Sequence, residues 1–315
     1  MTRRALICGV SGQDGAYLAK FLLKKGYQVF GTSRDAQGSS FRSLKHLGIQ
    51  EKVQVESMAL NDFRSVLQVL MKTEPDEIYN LAGQSSVGLS FDLPVETLES
   101  IATGTLNLLE AIRFTQRPIR FYSAGSSECF GDIGTECATE TTPFRPRSPY
   151  AVAKATAFWE VANYREAYNL YACSGILFNH ESPLRPKRFV TQKIIQTVKD
   201  IAEGKADKLY LGNTQISRDW GWAPEYIEAM YLMLQQPNPE DFVIATGASY
   251  HLEEFVACAF AEVGLNWQDY LISDPTLFRP TDLTFSRANP QKAREKLGWK
   301  AKYKMPDVVK MMISN

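Results

Sequence analysis

Cysteine and histidine are scarce in this sequence, five and three among 315 residues. Cys8, Cys129, Cys137, Cys173 and Cys258 are odd in number and form no CxxC pair, so neither a disulfide framework nor a zinc site is indicated. Reduced thiols in a cytoplasmic setting are the expectation. An excess of one charge is also missing. Lys+Arg and Asp+Glu both number 35, which removes the electrostatic footprint of a nucleic-acid or anionic-membrane binder. No apolar run is long enough to span a bilayer, and Ala5 to Val10 is too short for a signal segment. Internal repeats and low-complexity tracts are absent as well. What remains is a globular chain with 44% apolar residues, enough for one large domain or two interlocked ones.

The chain opens with a strand, a glycine turn and a helix. Ala5-Leu6-Ile7-Cys8 reads as a strand buried on both faces and Gly9-Val10-Ser11-Gly12-Gln13-Asp14-Gly15 as the turn, before the helical pattern of Tyr17-Leu18 and Phe21-Leu22-Leu23. Small residues let the backbone approach a pyrophosphate, and the helix N-terminus supplies N–H groups and positive potential. The G-x-x-G-x-x-G spacing departs from G-x-G-x-x-G and points to the short-chain dehydrogenase form of this turn. A second strand begins within Gly26 to Thr32, followed by Ser33-Arg34-Asp35. A carboxylate at this tip suits the ribose 2′-OH of NAD, whereas an arginine suits the 2′-phosphate of NADP. Arg34 leans to NADP, with Asp35 in a position to offset it.

Val53 to Glu56 predicts a third strand and Asp62 to Met71 a helix. Glu77 to Gly83 is a fourth strand leaving through small residues, and Leu98 to Phe114 one long covering helix. Arg120 to Gly131 supplies a fifth strand with its exit loop, and Tyr171 to Leu177 a sixth strand. This alternation predicts an α/β fold, a Rossmann-type doubly wound parallel sheet with ligands at the carboxyl ends of its strands.

Ser148-Pro149-Tyr150-Ala151-Val152-Ala153-Lys154 opens a further helix, stacking Tyr150 and Lys154 on one face. A Lys⁺ beside a phenol favours phenolate and so lowers a pKa that rests at about 10. Read alone, Y-x-x-x-K is more often an ordinary half-buried helix face. Its company changes that reading, because the exit loop delivers Ser126 and Glu128 to the same edge as Asn80 and the glycine turn. Downstream, His180 is the only histidine near these groups, and the basic run Arg185-Pro186-Lys187-Arg188 reads as a solvated face. It leads into an amphipathic helix at Thr191 to Ile195, whose N-terminus suits an anion. Helices from Asn289 to Leu297, capped by Gly298, and from Met305 to Ile313 close the pattern.

With these residues laid out, the chain resembles the extended short-chain dehydrogenase/reductase family, and within it the GDP-mannose 4,6-dehydratases. The resemblance rests on Gly9-x-x-Gly12-Gln13-Asp14-Gly15, Asn80-Leu81-Ala82-Gly83-Gln84-Ser85, Ser126-Ser127-Glu128 and Tyr150-x-x-x-Lys154. More specific are Phe178-Asn179-His180-Glu181-Ser182-Pro183, Arg218-Asp219-Trp220-Gly221 and Phe278-Arg279-Pro280-Thr281. It implies cofactor contacts from Gly9, Gly12, Gln13, Asp14, Gly15, Arg34, Leu60, Leu81, Ala82, Tyr150 and Lys154, with NADP as the cofactor and no metal. For the substrate, GDP-mannose, it implies Lys193, Arg218 and Arg279 at the diphosphate and guanosine, Asn179 near the sugar, Asp282 near a ribose, and contacts from Ser85 and Val190.

The implied cycle starts with Tyr150 taking the mannose 4-OH proton while Ser126 holds that oxygen and hydride passes from C4 to NADP⁺. Glu128 then removes the C5 proton and assists loss of the 6-OH as water, and hydride returns to C6 to give GDP-4-keto-6-deoxy-mannose. Several positions depart from the family. Ser126 replaces a usual Thr, Ala59-Leu60 an Asp-Leu pair at the adenine, and Arg34-Asp35 with a short segment to Ser40 replaces an arginine pair and a tetramer-forming loop. Leu184, Lys187 and Trp222 imply an altered sugar and base pocket.

The rival reading is an NADPH-dependent 4-keto-6-deoxy nucleotide-sugar reductase or epimerase with the same Ser/Tyr/Lys set; a dinucleotide-binding protein without catalysis is the more distant one. The expected domains are a cofactor domain over residues 1–177 with about 218–247, and a nucleotide-sugar domain over 178–217 and 248–315. A homodimer or homotetramer is implied, with Leu98 to Phe114 and Tyr150 to Tyr168 as the interface helices and Phe158 and Trp159 as core or contact residues.

Overall fold

The computed structural model describes residues 2–314; Met1 and Asn315, the outer limits of the two expected domains, lie outside the described residues. The first half runs β1 (Arg4–Cys8), α1 (Gln13–Lys24), β2 (Gln28–Ser33), α2 (Arg42–His46), β3 (Gln54–Ser57), α3 (Phe63–Thr73) and β4 (Glu77–Asn80). It continues through α4 (Val87–Asp92), α5 (Pro94–Leu98), α6 (Gly104–Thr115), β5 (Arg120–Ala124), α7 (Pro149–Tyr168) and β6 (Ala172–Leu177). The second half adds β7 (Asn179–Glu181), α8 (Val190–Ala202), β8 (Leu209–Leu211), β9 (Ser217–Arg218), β10 (Trp220–Trp222), α9 (Ala223–Leu234) and β11 (Phe242–Ile244). Last come β12 (Tyr250–His251), α10 (Leu252–Ala261), β13 (Leu271–Ser273), α11 (Gln291–Leu297) and α12 (Met305–Ile313).

Seven strands form one parallel sheet in the order β11-β6-β5-β4-β1-β2-β3. β1 is apolar from Ala5 to Cys8 because helices cover both of its faces. Its side chains alternate: Ala5 and Ile7 join a core with Leu18 and Leu22 of α1 and Met230 of α9, whereas Leu6 and Cys8 join one with Val66 of α3, Leu108 of α6 and Val161 of α7. The strand order reverses between β1 and β4, which opens a crevice at their carboxyl ends.

The long helix expected over Leu98 to Phe114 is broken. α5 ends at Leu98, a π-helical turn spans Glu99–Thr103, and α6 starts at Gly104. The extra residue lets Ser100 Oγ accept a bond from Gln84 N at 3.2 Å, while Asn80 Nδ2 donates to Thr105 Oγ1 at 3.1 Å. The apolar stripe therefore persists, but its register is reset to hold the loop after β4.

The second lobe packs α8, α10 and α12 around Ile194, Val198, Trp220, Phe255, Phe260 and Val308. Helix α11 and the segment after it take the other side. Ala293, Leu297, Trp299 and Ala301 enter the core of α1 and α9, and Trp299 Nε1 donates to Glu225 O at 3.0 Å. Among the described residues no helix is long and apolar enough to cross a membrane, and no group of His, Cys, Asp and Glu is placed to hold a metal ion.

Candidate active site

Helix α7 begins where its sequence says it should. Ser148 caps it by accepting from Ala151 N at 3.1 Å, and Pro149 occupies the first turn, where its missing N–H costs nothing. This start aims Tyr150, 9% exposed, and Lys154 at the end of β5. Lys154 Nζ donates to Ala124 O at 2.7 Å and lies 5.9 Å from the Tyr150 ring centroid. The Tyr150 hydroxyl is hydrogen-bonded to the Ser126 side chain, and Ser126 Oγ accepts from Glu128 N at 3.3 Å. These four side chains face one cavity of about 370 Å³.

Electrostatics in this cavity correct one expectation. Lys154 does not bring the phenol below its usual value here: burial dominates and pushes Tyr150 well up, with the Ser126 hydrogen bond acting against it. Burial also lowers Lys154 to about 8. Glu128 is raised, again by burial first, with Arg218 and Arg279 pulling it down and Asp282 pushing it up. A carboxyl so placed keeps its proton more readily than an exposed one, which suits acid–base work.

The glycine turn fits a dinucleotide. Gly9 has φ +83°, and a Cβ there would stand 3.0 Å from Ala82 Cα, so the turn packs directly on Leu81-Ala82 at the strand-order switch. A Cβ on Gly15 would meet Gly9 O at 2.4 Å. Gly12 provides no side chain to cap α1, which leaves the first turn of that helix open to a phosphate. Gln13 and Asp14 are engaged elsewhere, by the segment around β7. Gln13 Nε2 donates to His180 O at 3.1 Å and its Oε1 accepts from Ser182 Oγ at 2.7 Å; Asp14 Oδ2 lies 2.8 Å from His180 Nε2. Leu60 sits against the core on the α3 and α6 side, with its carbonyl accepting from Asn107 Nδ2 at 2.8 Å.

Arg34 is exposed at the tip of β2 and pairs with Glu96 at 3.4 Å. Asp35 points into its own turn, accepting from Gln37 N and Gly38 N, both at 2.9 Å. It caps that turn and is not the counter-ion of Arg34.

Ser85, Asn179, Val190, Arg218 and Arg279 line the central cavity. Val190, Lys193, Arg279 and Asp282 line an adjoining outer cavity of about 210 Å³. Arg218 is buried and committed: it donates to Leu283 O at 2.7 Å and Ser217 O at 3.0 Å, and pairs with Asp282 at 2.8 Å. Lys193 Nζ donates to Tyr210 O at 2.6 Å. All three of the unusual pocket positions stand away from both cavities: Leu184 packs on the α1 core, Trp222 on the second-lobe core, and Lys187 is exposed.

His180 lines the central cavity and stacks on Tyr226 at 4.6 Å. Burial alone would lower it, but the Asp14 carboxylate overrides this and raises it. The basic run is only in part the solvated face its composition suggests, for Lys187 and Arg188 are exposed. Arg185 turns inward, 3.2 Å from Glu181 Oε2 and stacked 3.7 Å over Phe189, and Arg188 reaches the cavity wall. Alternation of prolines with the arginines is the one sequence signal that this loop is held rather than free.

The whole chain has relatives. A family model described as GDP-mannose 4,6 dehydratase matches residues 6–312. GDP-mannose 4,6 dehydratase 1 of Arabidopsis thaliana is 47% identical over 319 aligned positions, covering 98% of this chain and 88% of the relative. Among solved structures, the UDP-glucose 4-epimerase of Thermus thermophilus in complex with NAD superposes with a TM-score of 0.87 at 25% identity, over 99% of this chain and 98% of that one. RMD from Pseudomonas aeruginosa complexed with NADPH superposes at 0.81 with 20% identity, over 100% and 97%, a likeness of fold alone. With the match running over nearly every described element, the chain belongs to the GDP-mannose 4,6-dehydratase family.

Proposed function

We propose that this chain is an NADP-dependent hydro-lyase that converts GDP-D-mannose to GDP-4-keto-6-deoxy-D-mannose. The observation that carries the reading is the meeting of Ser126, Glu128, Tyr150 and Lys154 in one cavity, with the carboxyl of Glu128 raised by burial. A bound nicotinamide supplies a hydride acceptor that later gives the hydride back. Tyr150 receives the 4-OH proton, Ser126 holds the same oxygen, and Lys154 is the cation stationed to stabilise the phenolate. The 4-ketone acidifies C5–H, and Glu128 takes that proton and delivers one to the 6-oxygen as it departs as water. The return of the hydride to C6 is completed by a proton returned to C5. Holding the nicotinamide and the sugar over one carboxyl keeps the redox cycle closed, so no net oxidant is needed.

NADP preference is supported by the exposed Arg34, with Asp35 bound up in its own turn. Gly9, Gly12, Gly15, Leu81 and Ala82 cradle the dinucleotide, and Asn179, Arg218, Arg279 and Asp282 serve the nucleotide sugar in the cleft between the lobes. A cytoplasmic site of action fits a chain whose described cysteines are all free. Self-association through α5, α6 and α7 fits the exposed Val95, Leu106, Phe114 and Trp159 on that side.

The test is incubation with GDP-mannose and substoichiometric NADP⁺ without reductant, followed by mass spectrometry of the sugar nucleotide. Loss of one water with no net NADPH is the expected result. Stoichiometric consumption of NADPH on a 4-keto sugar, with GDP-mannose untouched, would transfer the chain to the reductase or epimerase reading.

A further inference from the structure

The central and outer cavities share a wall made of Arg188, Val190, Ile216, Leu277 and Arg279. A nucleotide sugar with its sugar beside Tyr150 and its nucleoside in the outer cavity passes its diphosphate across that wall. The charges there are Arg188 and Arg279. The other cations of the cleft are already occupied: Lys193 by Tyr210 O at 2.6 Å, Lys154 by Ala124 O at 2.7 Å, Arg185 by Glu181 at 3.2 Å, and Arg218 by two carbonyls and Asp282. Arg279 divides its charge with the same Asp282, at 3.5 Å. Arg188 instead makes a long contact of 3.5 Å to Ser85 Oγ, at the outer limit of a hydrogen bond and across the cleft from its own lobe.

The loop that presents Arg188 is held in place. Arg185 N donates to Ser182 O and Phe189 N to Pro186 O, both at 3.0 Å, and Arg188 lies 5.1 Å from the Phe189 ring. Its guanidinium is planar, permanently charged and forked, which matches two oxygens of a phosphate better than a lysine does.

We propose that Arg188 clamps the diphosphate of a nucleoside-diphosphate sugar where the two cavities meet, tying the loop before α8 to the Ser85 loop on the opposite lobe. The inference rests on the nucleotide-sugar reading above. It separates Arg188 from its neighbour Lys187: both are exposed, but only Arg188 lines the cavities.

Calorimetric titration of the full chain with GDP-mannose, GDP, GMP and NADP⁺ tests it, with UDP-glucose and dTDP-glucose alongside. Arg188→Ala should weaken GDP-mannose and GDP by roughly tenfold to a hundredfold, the range for losing hydrogen bonds to a charged group. GMP, which lacks the second phosphate, should change by less than about threefold, and Arg188→Lys should recover only part of the loss. Retained NADP⁺ affinity shows that the variant is folded. Equal weakening of GDP and GMP, or GDP binding within about threefold of the parent chain, overturns the clamp and leaves the substrate reading standing. If the parent chain prefers UDP-glucose or dTDP-glucose, the substrate reading fails and Arg188→Ala is judged on that nucleotide. Failure to bind any nucleoside diphosphate overturns both.

Discussion

Replacing Glu128 with glutamine separates the two halves of the proposed reaction. The side chains are nearly the same size, and the bond from the backbone N of residue 128 to Ser126 Oγ, 3.3 Å, is untouched, so Tyr150 and Ser126 stay in position. An amide can neither take the C5 proton nor give one to the 6-oxygen. Loss of a positioned acid–base group slows a step by roughly 10²- to 10⁴-fold, a barrier increase of about 2.7–5.5 kcal/mol. Glu128→Gln should therefore still oxidise C4, seen as reduced nicotinamide absorbance in a single turnover, while release of dehydrated product falls by that factor. The pH profile gives a second reading. Burial raises the Glu128 carboxyl, so the parent activity falls as pH drops through that raised value, and the variant should lack this limb. Stability moves the opposite way. A carboxyl raised on folding binds more protons in the folded state, so it costs stability as pH rises from its ordinary value of 4.5 through the raised one. The amide removes that cost, and the variant should melt no lower than the parent at neutral pH. Loss of the reduced-nicotinamide signal together with dehydration, in a variant of unchanged melting temperature, would refute the assignment of Glu128 to the elimination step.

Three further outcomes follow from the geometry. The Asp14–His180 pair has a depressed carboxyl and a raised imidazole, so its contribution is present between their unfolded values of 3.8 and 6.5 and is lost as pH climbs through the folded His180 value or falls through that of Asp14. His180→Gln should lower the melting temperature more at pH 5 than at pH 8; an equal drop at both would show that the imidazole contributes packing alone. Arg34→Ala should weaken NADP⁺ by roughly tenfold and leave NAD⁺ nearly unchanged by titration calorimetry, as expected for one exposed phosphate contact. Trp299→Ala removes a side chain only 3% exposed and a bond to Glu225 O, and should cost about 3–5 kcal/mol in urea unfolding.

The glycine turn and the Tyr150 helix were readable in the sequence because local rules specify them. An apolar strand ending in Gly9 and a Ser148-Pro149 start require no distant partner to be recognised. Burial was not readable in the same way. Y-x-x-x-K sets Tyr150 and Lys154 on one face, yet whether the lysine or desolvation rules the phenol depends on what α7 packs against. The basic run is a similar case. Arg185 and Arg188 have the composition of a solvated stretch, and only the three-dimensional course of the loop before α8 turns them to the cleft. The π-helical turn at Glu99–Thr103 leaves the apolar periodicity nearly intact, so a helix pattern runs straight through it. Asp35 reads in the sequence as an offset to Arg34, and its bonds to Gln37 N and Gly38 N make it a turn cap instead.

The core between α1 and α9 draws on Ala293, Leu297, Trp299 and Ala301, and the edge of the main sheet on Phe242 to Ile244. During synthesis, then, the first half leaves the ribosome with β6 as an uncovered sheet edge and with the α1 side of its core unfilled. It waits in that condition until nearly all of the chain has been made. Contacts of such sequence separation form late, and the exposed strand edge is the surface on which chains aggregate meanwhile. The cofactor-binding lobe is therefore not a unit that matures first and then receives its partner. Truncation just before residue 293 would leave the glycine turn in the sequence but take away part of the packing behind it.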